Sequence, residues 1–418
     1  MDTKVTAFEE LIWSAQQAVP DDVDEIHQRT FEYFWLGSHP VSGLVRDRLR
    51  SDGTPIHEIA SISGTGFGFL AVVVGAARGW ITRDQALERV TTMVHSLCKA
   101  RRFHGAFSHF ADAATSEVIP FGPKDDGGDL VETALLLQGL ICAREYFSRP
   151  TLAETRFRTL AQDIVTGVEW TWYTRGSDGP LWWHWSPKHR WCFGIAVSGW
   201  NEALVCYVLA AGAKHHSIDA VNYHRGWARS GAMVNGNTYL GTVLPLGEPF
   251  GGPLFLSQYS FCGLDPRGLS DRYCHYQEQI EAHTRINHDH SLSKFPGQYF
   301  WGTTASDGPT GYRVHSPVQD DGVIAPTTAL SAFPVMPQEA LRAIRAFADY
   351  DNGKLVGRYG FVDAFSPTTG WVANTHLAID QGPAVAMIEN YRSGILWRLF
   401  MNAPEVRRGL DALGFKRG

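Results

Sequence analysis

The stretch LVETALLLQGLICA, residues 130–143, is apolar on nearly every side of the helix that its composition predicts. Such a helix has no polar face to turn towards water, so other elements must cover it all round. Three more stretches have the same character, namely GFGFLAVVVGAA (66–77), EALVCYVLAAGA (202–213) and AIDQGPAVAMIE (378–389). Weaker candidates lie near residues 253–263 and 324–333. The sequence therefore predicts about six buried helices.

A second set of helices alternates with the buried ones and carries a single apolar stripe. Thr82 and Gln85 form a predicted capping box, and Pro337 is placed to open another helix. Six such outer helices are expected near residues 22, 82, 152, 217, 269 and 337. This alternation predicts an all-α fold, the (α/α)6 barrel, in which an inner ring of helices is enclosed by an outer ring. Short aromatic stretches at 181–185 and 357–365 predict β-hairpins in the loops.

Composition limits the classes of function. The 418 residues carry a net charge of −6, which gives no reason to expect nucleic acid or a membrane surface as a partner. No linker or shift in composition divides the chain, so we expect one domain over residues 1–418 with the first ~20 residues at its periphery. The opening residues contain acids and no apolar signal core, so we expect a cytoplasmic protein, or an exported one if a leader was removed.

The chain reads KDDGGD at residues 124–129, directly before the first buried helix. Asp129 is a predicted N-cap with Glu132 as its partner in a capping box. The acids also match a DDxxD magnesium motif, but the two glycines among them would break the helix that this motif needs, and no second metal motif follows. Acid/base chemistry on a neutral substrate is the remaining alternative. We therefore expect no metal and no cofactor.

The starts of inner helices in a double ring point to one face, so their polar residues are expected to line one pocket. Glu202, in SGWNEAL, is a candidate general acid, because burial beside Trp200 would raise the pKa of its carboxyl. Asp380, in LAIDQGP, is either an N-cap or a general base. Asp307 lies in a turn-forming loop and is expected at the rim of the pocket.

Tryptophans are concentrated between residues 182 and 191. Trp183, Trp185 and Trp191 could form a buried aromatic cluster, but the charged residues among them favour a wet site in which the rings stack on sugars. A sugar epimerase on the same fold is an alternative and would need paired histidines at the helix starts. The candidates for that role are His104, His109 and His376.

Several long motifs carry a specific resemblance. They include FEYFWLGSHPVSGLVRDR (31–48), KDDGGDLVETALLLQGL (124–140), GWNEAL (199–204), GGPLFLSQYSFCGLDPRGLSDRY (251–273) and HLAIDQGPAVAMIENYRSGILW (376–397). From about residue 30 to residue 414 the chain resembles the bacterial glycoamylase-like family, which includes the endo-β-1,2-glucanases of glycoside hydrolase family 144.

The resemblance implies a single (α/α)6 barrel that hydrolyses β-1,2-linked glucan or its oligosaccharides with inversion. It also implies that Glu202 is the general acid, that Asp380 is the base, and that Asp125, Asp129 and Glu132 line the subsite where the bond breaks. Asp125 is counted with the catalytic candidates, and His109 and Asp307 are expected to bind substrate together with Trp183, Trp185, Trp191 and Trp200. Exo action, transglycosylation and a catalytically silent sugar-binding toroid remain alternatives.

Overall fold

The computed structural model describes residues 17–417, which are mostly helical. The α-helices of these residues are α1 (Asp21–Leu36), α2 (Ile62–Arg78), α3 (Arg83–Lys99), α4 (Leu130–Tyr146), α5 (Leu152–Thr166), α6 (Leu204–Gly212), α7 (Tyr276–Lys294), α8 (Pro326–Ser331), α9 (Pro337–Asp349), α10 (Ala378–Arg392), α11 (Ile395–Asn402) and α12 (Pro404–Ala412). Shorter helical turns cover Trp170–Thr174, Asn222–Trp227, Arg229–Gly231, Pro249–Gly251, Leu254–Ser257, Ser260–Cys262 and Tyr350–Asn352.

Strands of two or three residues lie in the loops between the helices. They are β1 (Arg48–Arg50), β2 (Ile59–Ser61), β3 (Phe110–Asp112), β4 (Val118–Ile119), β5 (Gly128–Asp129), β6 (Leu181–Trp182), β7 (His184–Trp185), β8 (Ala196–Val197), β9 (Thr238–Tyr239), β10 (Thr242–Val243), β11 (Leu269–Ser270), β12 (Ala305–Ser306), β13 (Arg313–Val314), β14 (Val356–Gly357), β15 (Gly360–Phe361), β16 (Phe365–Ser366), β17 (Trp371–Val372), β18 (Thr375–Leu377) and β19 (Lys416–Arg417). Their pairings in residues 17–417 are antiparallel.

The predicted buried helices are buried as expected. Every residue of α6 and α8 is buried, and so are residues 62–75 of α2 and 130–144 of α4. Glycines let the backbones of α2 and α4 touch, because a Cβ on Gly139 would lie 1.9 Å from the carbonyl oxygen of Gly66. The predicted buried helix near residue 253 is instead two short turns at 254–257 and 260–262.

These buried elements follow one another in space. Helix α2 lies between α4 and α10, α4 packs on α6, and α10 also packs on α8. Ser260, in the turn after 254–257, donates a hydrogen bond to the Glu202 carbonyl beside α6. Gln258 Nε2 donates to the Thr328 carbonyl of α8 at 3.0 Å. The buried elements therefore have neighbours in the order α2, α4, α6, 254–262, α8, α10 and back to α2.

The amphipathic helices pack outside this set. Helix α3 begins with the predicted capping box of Thr82 and Gln85, and Pro337 opens α9. The outer helix expected near 269 begins at Tyr276, and the one near 217 is a single wide turn at Asn222–Trp227. Helices α11 and α12 were not predicted, and they pack on α4 and α6. They close the apolar sides of α4 and α6 that shorter outer elements leave uncovered.

One of the two predicted hairpins is present. Strands β14 and β15 form it, with Gly357 opposite Gly360. The prediction was wrong for residues 181–185, because β6 pairs with β8 while β7 pairs with β5. This pairing places His184 opposite Asp129, so the aromatic stretch is tied to the acidic loop rather than to itself.

The expectation for the first ~20 residues falls mainly on residues 1–16, outside the described part of the chain. Between residues 17 and 417, no helix combines the length and the apolar character that crossing a membrane requires.

Candidate active site

The first turns of α2, α4 and α10 contact one another, and the backbone N–H of Ser63 in α2 donates to Glu132 Oε2 in α4 at 2.8 Å. The backbone N–H of Ile62, at the start of α2, donates to the His109 carbonyl at 3.2 Å. A Cβ on Gly64 would lie 2.7 Å from Cβ of Ala378, the first residue of α10. The starts of α2, α4 and α10 are thus in direct contact and bring their polar residues together.

Asp129 caps α4, as predicted. Its Oδ1 accepts hydrogen bonds from the backbone N–H groups of Val131 and Glu132, each at 3.0 Å. Its Oδ2 receives the Trp183 indole N–H at 3.2 Å and lies 3.0 Å from His109 Nδ1. One oxygen therefore holds the helix while the other holds two side chains that border the cleft.

Glu132 does not complete the predicted capping box. Its Oε2 instead accepts a hydrogen bond from the backbone N–H of Ser63, 2.8 Å away in the first turn of α2. Burial raises the pKa of the Glu132 carboxyl, and the charge of Asp129 adds to this rise. The box prediction was wrong because an N–H group of a neighbouring helix supplies a better-placed donor than the cap residue of α4.

His109 is the cation of this group. Burial by itself lowers the pKa of its imidazole, but the charges of Glu132, Asp129 and Asp125 outweigh burial and raise the pKa to about 10. The ring also stacks on Phe121 with 4.7 Å between centroids. At neutral pH His109 is therefore an imidazolium that can donate hydrogen bonds to acceptor oxygens.

Asp125 and Asp126 contact different side chains. Asp125 Oδ1 lies 3.2 Å from Nε2 of the buried His184, without the alignment of a hydrogen bond, whereas Asp126 Oδ1 accepts from Ser186 Oγ at 2.5 Å. Both acids precede α4 instead of lying within a helix. The acids of the DDxxD match therefore do not share one helical face. In residues 17–417, no three His, Cys, Asp or Glu side chains are grouped so as to hold a metal ion.

A cavity of about 510 Å³ opens beside these acids. Its walls combine aromatic rings with acids and cations, and the residues that line it are His109, Phe121, Gly122, Pro123, Lys124, Asp125, Asp129, Trp183, His184, Phe193 and Ile195. Flat apolar walls with a few polar groups are typical of sites that bind sugar rings or similar small ligands. Trp183 is thus placed at the cavity, with its indole N–H fixed by Asp129.

Glu202 lies in the turn before α6, whose first residue is Leu204, and not in the first helical turn as expected. Burial raises the pKa of its carboxyl to about 7, with smaller contributions from the charges of Asp129 and Glu132. Among residues 17–417 no other residue donates a hydrogen bond to this carboxyl group. It is therefore a carboxylic acid at mildly acidic pH whose proton is free to be given to a ligand.

Asp307 belongs to a second acidic group, next to the start of α10. Its carboxylate accepts from Arg48 Nη1 at 2.6 and 2.9 Å and from Thr375 Oγ1 at 2.6 Å. Arg48 Nε also lies 3.4 Å from Oδ2 of Asp47. Asp307 is 9% exposed, so it is held by ionic contacts under the rim and not on an open turn.

Asp380 lies in the first turn of α10 and is almost fully buried. Burial raises the pKa of its carboxyl well above its ordinary value, and the neighbouring charge of Asp363 raises it further. Burial also raises the pKa of Asp363, and with the charge of Asp307 it brings that pKa to about 7. The two carboxyl groups lie within hydrogen-bonding distance of each other. They form a close pair of acids at the mouth of the helix.

Tyr259 connects the two acidic groups. Burial raises the pKa of its phenol, and the charges of Asp380, Glu202 and Glu132 add to this rise, so its hydroxyl lies near acids of both groups. Tyr312 is near Asp380 in the same way. The charges of Glu202 and Asp380 therefore both reach the phenol of Tyr259.

The other tryptophans predicted to bind substrate do not line this cavity. Trp185 is buried and packs edge-on against His104 and Trp172, and Trp191 stacks near Trp172 with 6.4 Å between centroids. Trp200 is buried beside Phe261 in a stacked arrangement. The structure thus brings Trp183 to the cavity and places Trp185 and Trp191 in an aromatic cluster behind it.

The three histidines considered for an epimerase are not paired. His104 Nδ1 lies 2.9 Å from Glu169 and its ring stacks on Trp172. His376 is buried with Nδ1 2.9 Å from the Phe361 carbonyl oxygen. Only His109 of the three lies at the acids, so the arrangement gives the epimerase no catalytic pair.

Sequence reasoning missed several residues of this site. Asp363 lies in the stretch 357–365, whose aromatic residues predict a hairpin, and no local pattern marks the acid as functional. Arg48 and Tyr259 lie within the motifs at 31–48 and 251–273 but have no local pattern that marks them. His184 could have been found from its position inside the tryptophan-rich stretch.

A cavity of about 760 Å³ lies along α5 and beside the C-terminal ends of α4 and α6. Its arginines bind helix ends: Arg158 donates to the Phe147 carbonyl at 2.7 Å and Arg408 to the Gly212 carbonyl at 2.8 Å. Cations at helix C-termini complement the helix dipole, which accounts for their presence without a ligand.

Known proteins are similar to this chain in sequence and in fold. Residues 195–404 match the family model described as "Putative glucoamylase". The chain is 38% identical, over 94% of its length, to an exo β-1,2-glucooligosaccharide sophorohydrolase (non-reducing end) of Parabacteroides distasonis, and it spans 57% of the length of that curated relative.

Solved structures are similar over nearly the whole chain. An endo-β-1,2-glucanase from Chitinophaga pinensis, in complex with sophorotriose and glucose, has 43% identity and a TM-score of 0.92, with 96% of this chain and 99% of that chain covered. A β-1,2-glucanase from P. distasonis has 36% identity and a TM-score of 0.89, with 96% of this chain and 61% of that chain covered. The chain therefore belongs to the bacterial glycoamylase-like family.

Proposed function

We propose that this protein is a glycoside hydrolase that cleaves β-1,2-glucosidic bonds of β-1,2-glucan or its oligosaccharides with inversion. The names of its relatives, an endo-glucanase and an exo-acting sophorohydrolase, support this class of substrate. The observation that carries the proposal is the position of buried acids at the starts of the buried helices, with Asp129 at α4, Glu202 just before α6 and Asp380 in the first turn of α10. Burial raises the pKa of the Glu202 carboxyl to about 7, and Asp363 pairs with Asp380. A protonated acid and a pair of acids that can accept a proton are the two groups that hydrolysis with inversion needs.

Each acid has a proposed role. Glu202 gives its proton to the glycosidic oxygen as the bond to the anomeric carbon breaks. Asp380 takes a proton from the water that attacks the opposite face of that carbon. A tyrosine hydroxyl such as that of Tyr259, or a substrate hydroxyl, can relay either proton, because Tyr259 lies near both acids.

The other acids hold the substrate. Asp125 and Asp129 line the cavity and accept hydrogen bonds from sugar hydroxyls, and the His109 imidazolium donates to sugar oxygens. Glu132, whose charge contributes to the raised pKa of His109, is proposed to act with them. Among these acids, Asp125 is the one that we propose to take part in catalysis, because its Oδ1 is buried without a hydrogen-bond donor in residues 17–417. Asp307 supports the Asp380 side through Arg48, and Trp183 offers an aromatic wall for a glucosyl ring.

The architecture that we propose is a single-domain (α/α)6 barrel. The order of neighbours α2, α4, α6, 254–262, α8, α10 and the amphipathic helices outside it support a closed double ring. In this arrangement α11 and α12 reinforce the outer layer. A ring of this kind explains why the starts of the buried helices supply one cleft.

The test is a timed product profile of the purified protein on linear β-1,2-glucan, with EDTA present, by mass spectrometry. A ladder of short β-1,2-oligosaccharides supports endo action, and sophorose alone supports exo action. Proton NMR of the first product reports whether the anomeric configuration inverts. No product from β-1,2-glucan or from sophoro-oligosaccharides would overturn the proposed hydrolase, and a β-1,2-glucan binding assay would then test the silent sugar-binding toroid.

A further inference from the structure

Asp363 is a buried acid to which the mechanism gives no separate task. It lies between β15 and β16 and is fully buried. Its backbone N–H donates to the Thr375 carbonyl at 2.8 Å, and its Oδ2 accepts from the backbone N–H of Asp307 at 2.6 Å. Its Oδ1 has no hydrogen-bond donor in residues 17–417. A carboxylate oxygen that is buried without a donor is costly, so this position favours a proton.

Asp380 presents a matching atom. Its Oδ2 is also buried without a donor in residues 17–417, and its carboxyl group lies within hydrogen-bonding distance of that of Asp363. Two ionised carboxylates are both acceptors and repel each other, so a hydrogen bond between them requires one proton. Burial raises the pKa of both carboxyl groups, and the contact between them raises the pKa of Asp380 further while it lowers that of Asp363, as expected when one proton lies between two carboxyl groups.

The charges around Asp363 and Asp380 do not replace the proton that a hydrogen bond between them requires. Arg48 is the cation that contacts this group, and its guanidinium is already bound to Asp307 and close to Asp47. The titratable groups that face the pair are Asp47, Asp307, Arg48, Tyr33, Tyr259 and Tyr312. Burial raises the pKa of each of the three phenols, so they are neutral at pH 7. Four carboxyl groups thus face one arginine, and retaining one proton lowers their repulsion.

We infer that Asp363 is a positioning residue that shares one proton with Asp380 and so fixes the protonation state in which Asp380 meets the attacking water. The inference rests on the proposed hydrolase for its catalytic meaning, but the shared proton itself can be measured without substrate. In the reaction, the water oxygen bonds to the anomeric carbon and the glycosidic C–O bond breaks. Glu202 protonates the leaving oxygen, and the water gives its proton to the ionised carboxylate of the pair. The shared proton stays between Asp363 and Asp380 throughout.

The first experiment looks for the proton directly. Protein is prepared with aspartate labelled by ¹³C at the side-chain carboxyl, and infrared spectra are recorded at pH 7 for the wild type, Asp363→Asn and Asp380→Asn. A protonated aspartyl carboxyl band is expected in the wild type and is expected to be lost in both variants. Its persistence in Asp363→Asn, or its absence from the wild type, would overturn the shared proton. The label separates this band from those of Glu202 and Glu132.

The second experiment tests the positioning role by kinetics. Asp363→Asn retains an acceptor for the Asp307 N–H and a donor for Asp380, so it is expected to keep activity within about tenfold of the wild type. Its amide is a weaker donor than a carboxylic acid, so the Asp380 carboxylate becomes more basic. The acid limb of kcat/KM is therefore expected to move to higher pH by about 1 unit.

Asp363→Ala and Asp163→Asn complete the series. Asp363→Ala removes both contacts and is expected to lose about 100-fold or more in kcat. Asp163 is exposed on α5, so Asp163→Asn is expected to retain the wild-type rate and pH profile. An unchanged acid limb in Asp363→Asn would overturn the inference, and so would equal losses in the Asn and Ala variants. Circular dichroism of each variant shows whether Asp363→Ala folds, and Asp363→Asn keeps the test decisive if it does not.

If the wild type shows the shared proton but hydrolyses no β-1,2-glucan, the proposed function fails and the acid pair stands. If it hydrolyses the glucan but shows no protonated aspartyl band, the inference fails and the function stands.

Discussion

Glu132 on α4 accepts a hydrogen bond from the backbone N–H of Ser63 at the start of α2, with 2.8 Å between Oε2 and N. One acid thus joins the first turns of two buried helices.

This contact predicts a difference between two substitutions. Glu132→Gln keeps an oxygen that can accept from Ser63, whereas Glu132→Ala leaves that N–H without a partner. We expect the Gln variant to have the higher free energy of unfolding, by about 1 kcal/mol. Urea unfolding followed by circular dichroism measures both values. Equal stability of the two variants would show that the Ser63 contact is not what holds the helix starts together.

Glu202→Gln is expected to reduce kcat on β-1,2-glucan by about 10³-fold or more, because an amide keeps the shape of the side chain but cannot give up a proton. Glu117→Gln is the matched control, since Glu117 is exposed in the loop between β3 and β4. Initial rates from reducing-sugar release, with circular dichroism of both variants, provide the measurement. A Glu202→Gln enzyme with a near-normal rate would exclude Glu202 as the acid.

The rate is also expected to depend on pH through Glu202. The pKa of its carboxyl is about 7, so the fraction that still carries a proton falls as the pH rises through that value. A general acid must be protonated, so kcat/KM is expected to decline about tenfold per pH unit well above pH 7. Profiles from pH 5 to pH 9 test this. A rate that stays level up to pH 9 would contradict the assignment.

The free energy of unfolding is also expected to depend on pH through Glu202. The pKa of Glu202 is about 7 in the folded protein against the ordinary glutamate value of 4.5, so folding favours its protonated form. Its contribution is present below pH 4.5 and is lost as the pH rises through 7. Glu202→Gln resembles the protonated acid, so it is expected to be more stable than the wild type at pH 8, by about 3 kcal/mol, and equal to it near pH 4.5. Denaturant unfolding at both pH values measures the difference, and a gap that does not grow with pH would refute it.

Arg48→Met is expected to destabilise the protein more at pH 8 than at pH 5. Without the guanidinium, the Asp307 carboxylate and the negative charge of its neighbours have no cation in contact at pH 8, which costs about 2–3 kcal/mol for a partly buried pair. At pH 5 more of the buried carboxyls of Asp47, Asp363 and Asp380 hold protons, since burial raises the pKa of each, so less negative charge is left without a partner. Arg50→Met is the control, because Arg50 is exposed on the same strand β1. Thermal melting at the two pH values distinguishes the variants, and equal losses at both would contradict the ionic explanation.

The sequence predicted the parts of this fold that depend on near neighbours in the chain. Apolar residues on every side marked α2, α4, α6 and α10 as buried. The capping box before α3 was also predicted, because it joins residues three positions apart. It did not predict α11 and α12, since they follow α10 without a strong break in pattern.

The candidate site was predicted only where local signals mark it. Asp129 was recognised as a cap because its partners are the next two or three residues. Asp363 was missed, because its partners Asp307 and Asp380 are 56 and 17 residues away and nothing near it in sequence records them.

By itself, then, the sequence determined that α2, α4, α6 and α10 are buried helices and that acids stand at or just before the starts of α4, α6 and α10, because these properties follow from periodicity and capping over one or two turns. Tertiary structure alone decided which acids meet. It turned Glu132 away from its own helix towards Ser63, paired Asp363 with Asp380, and moved Trp185 out of the cavity that Trp183 lines. These contacts depend on how distant segments pack, and burial among such neighbours sets the pKa values on which the chemistry depends.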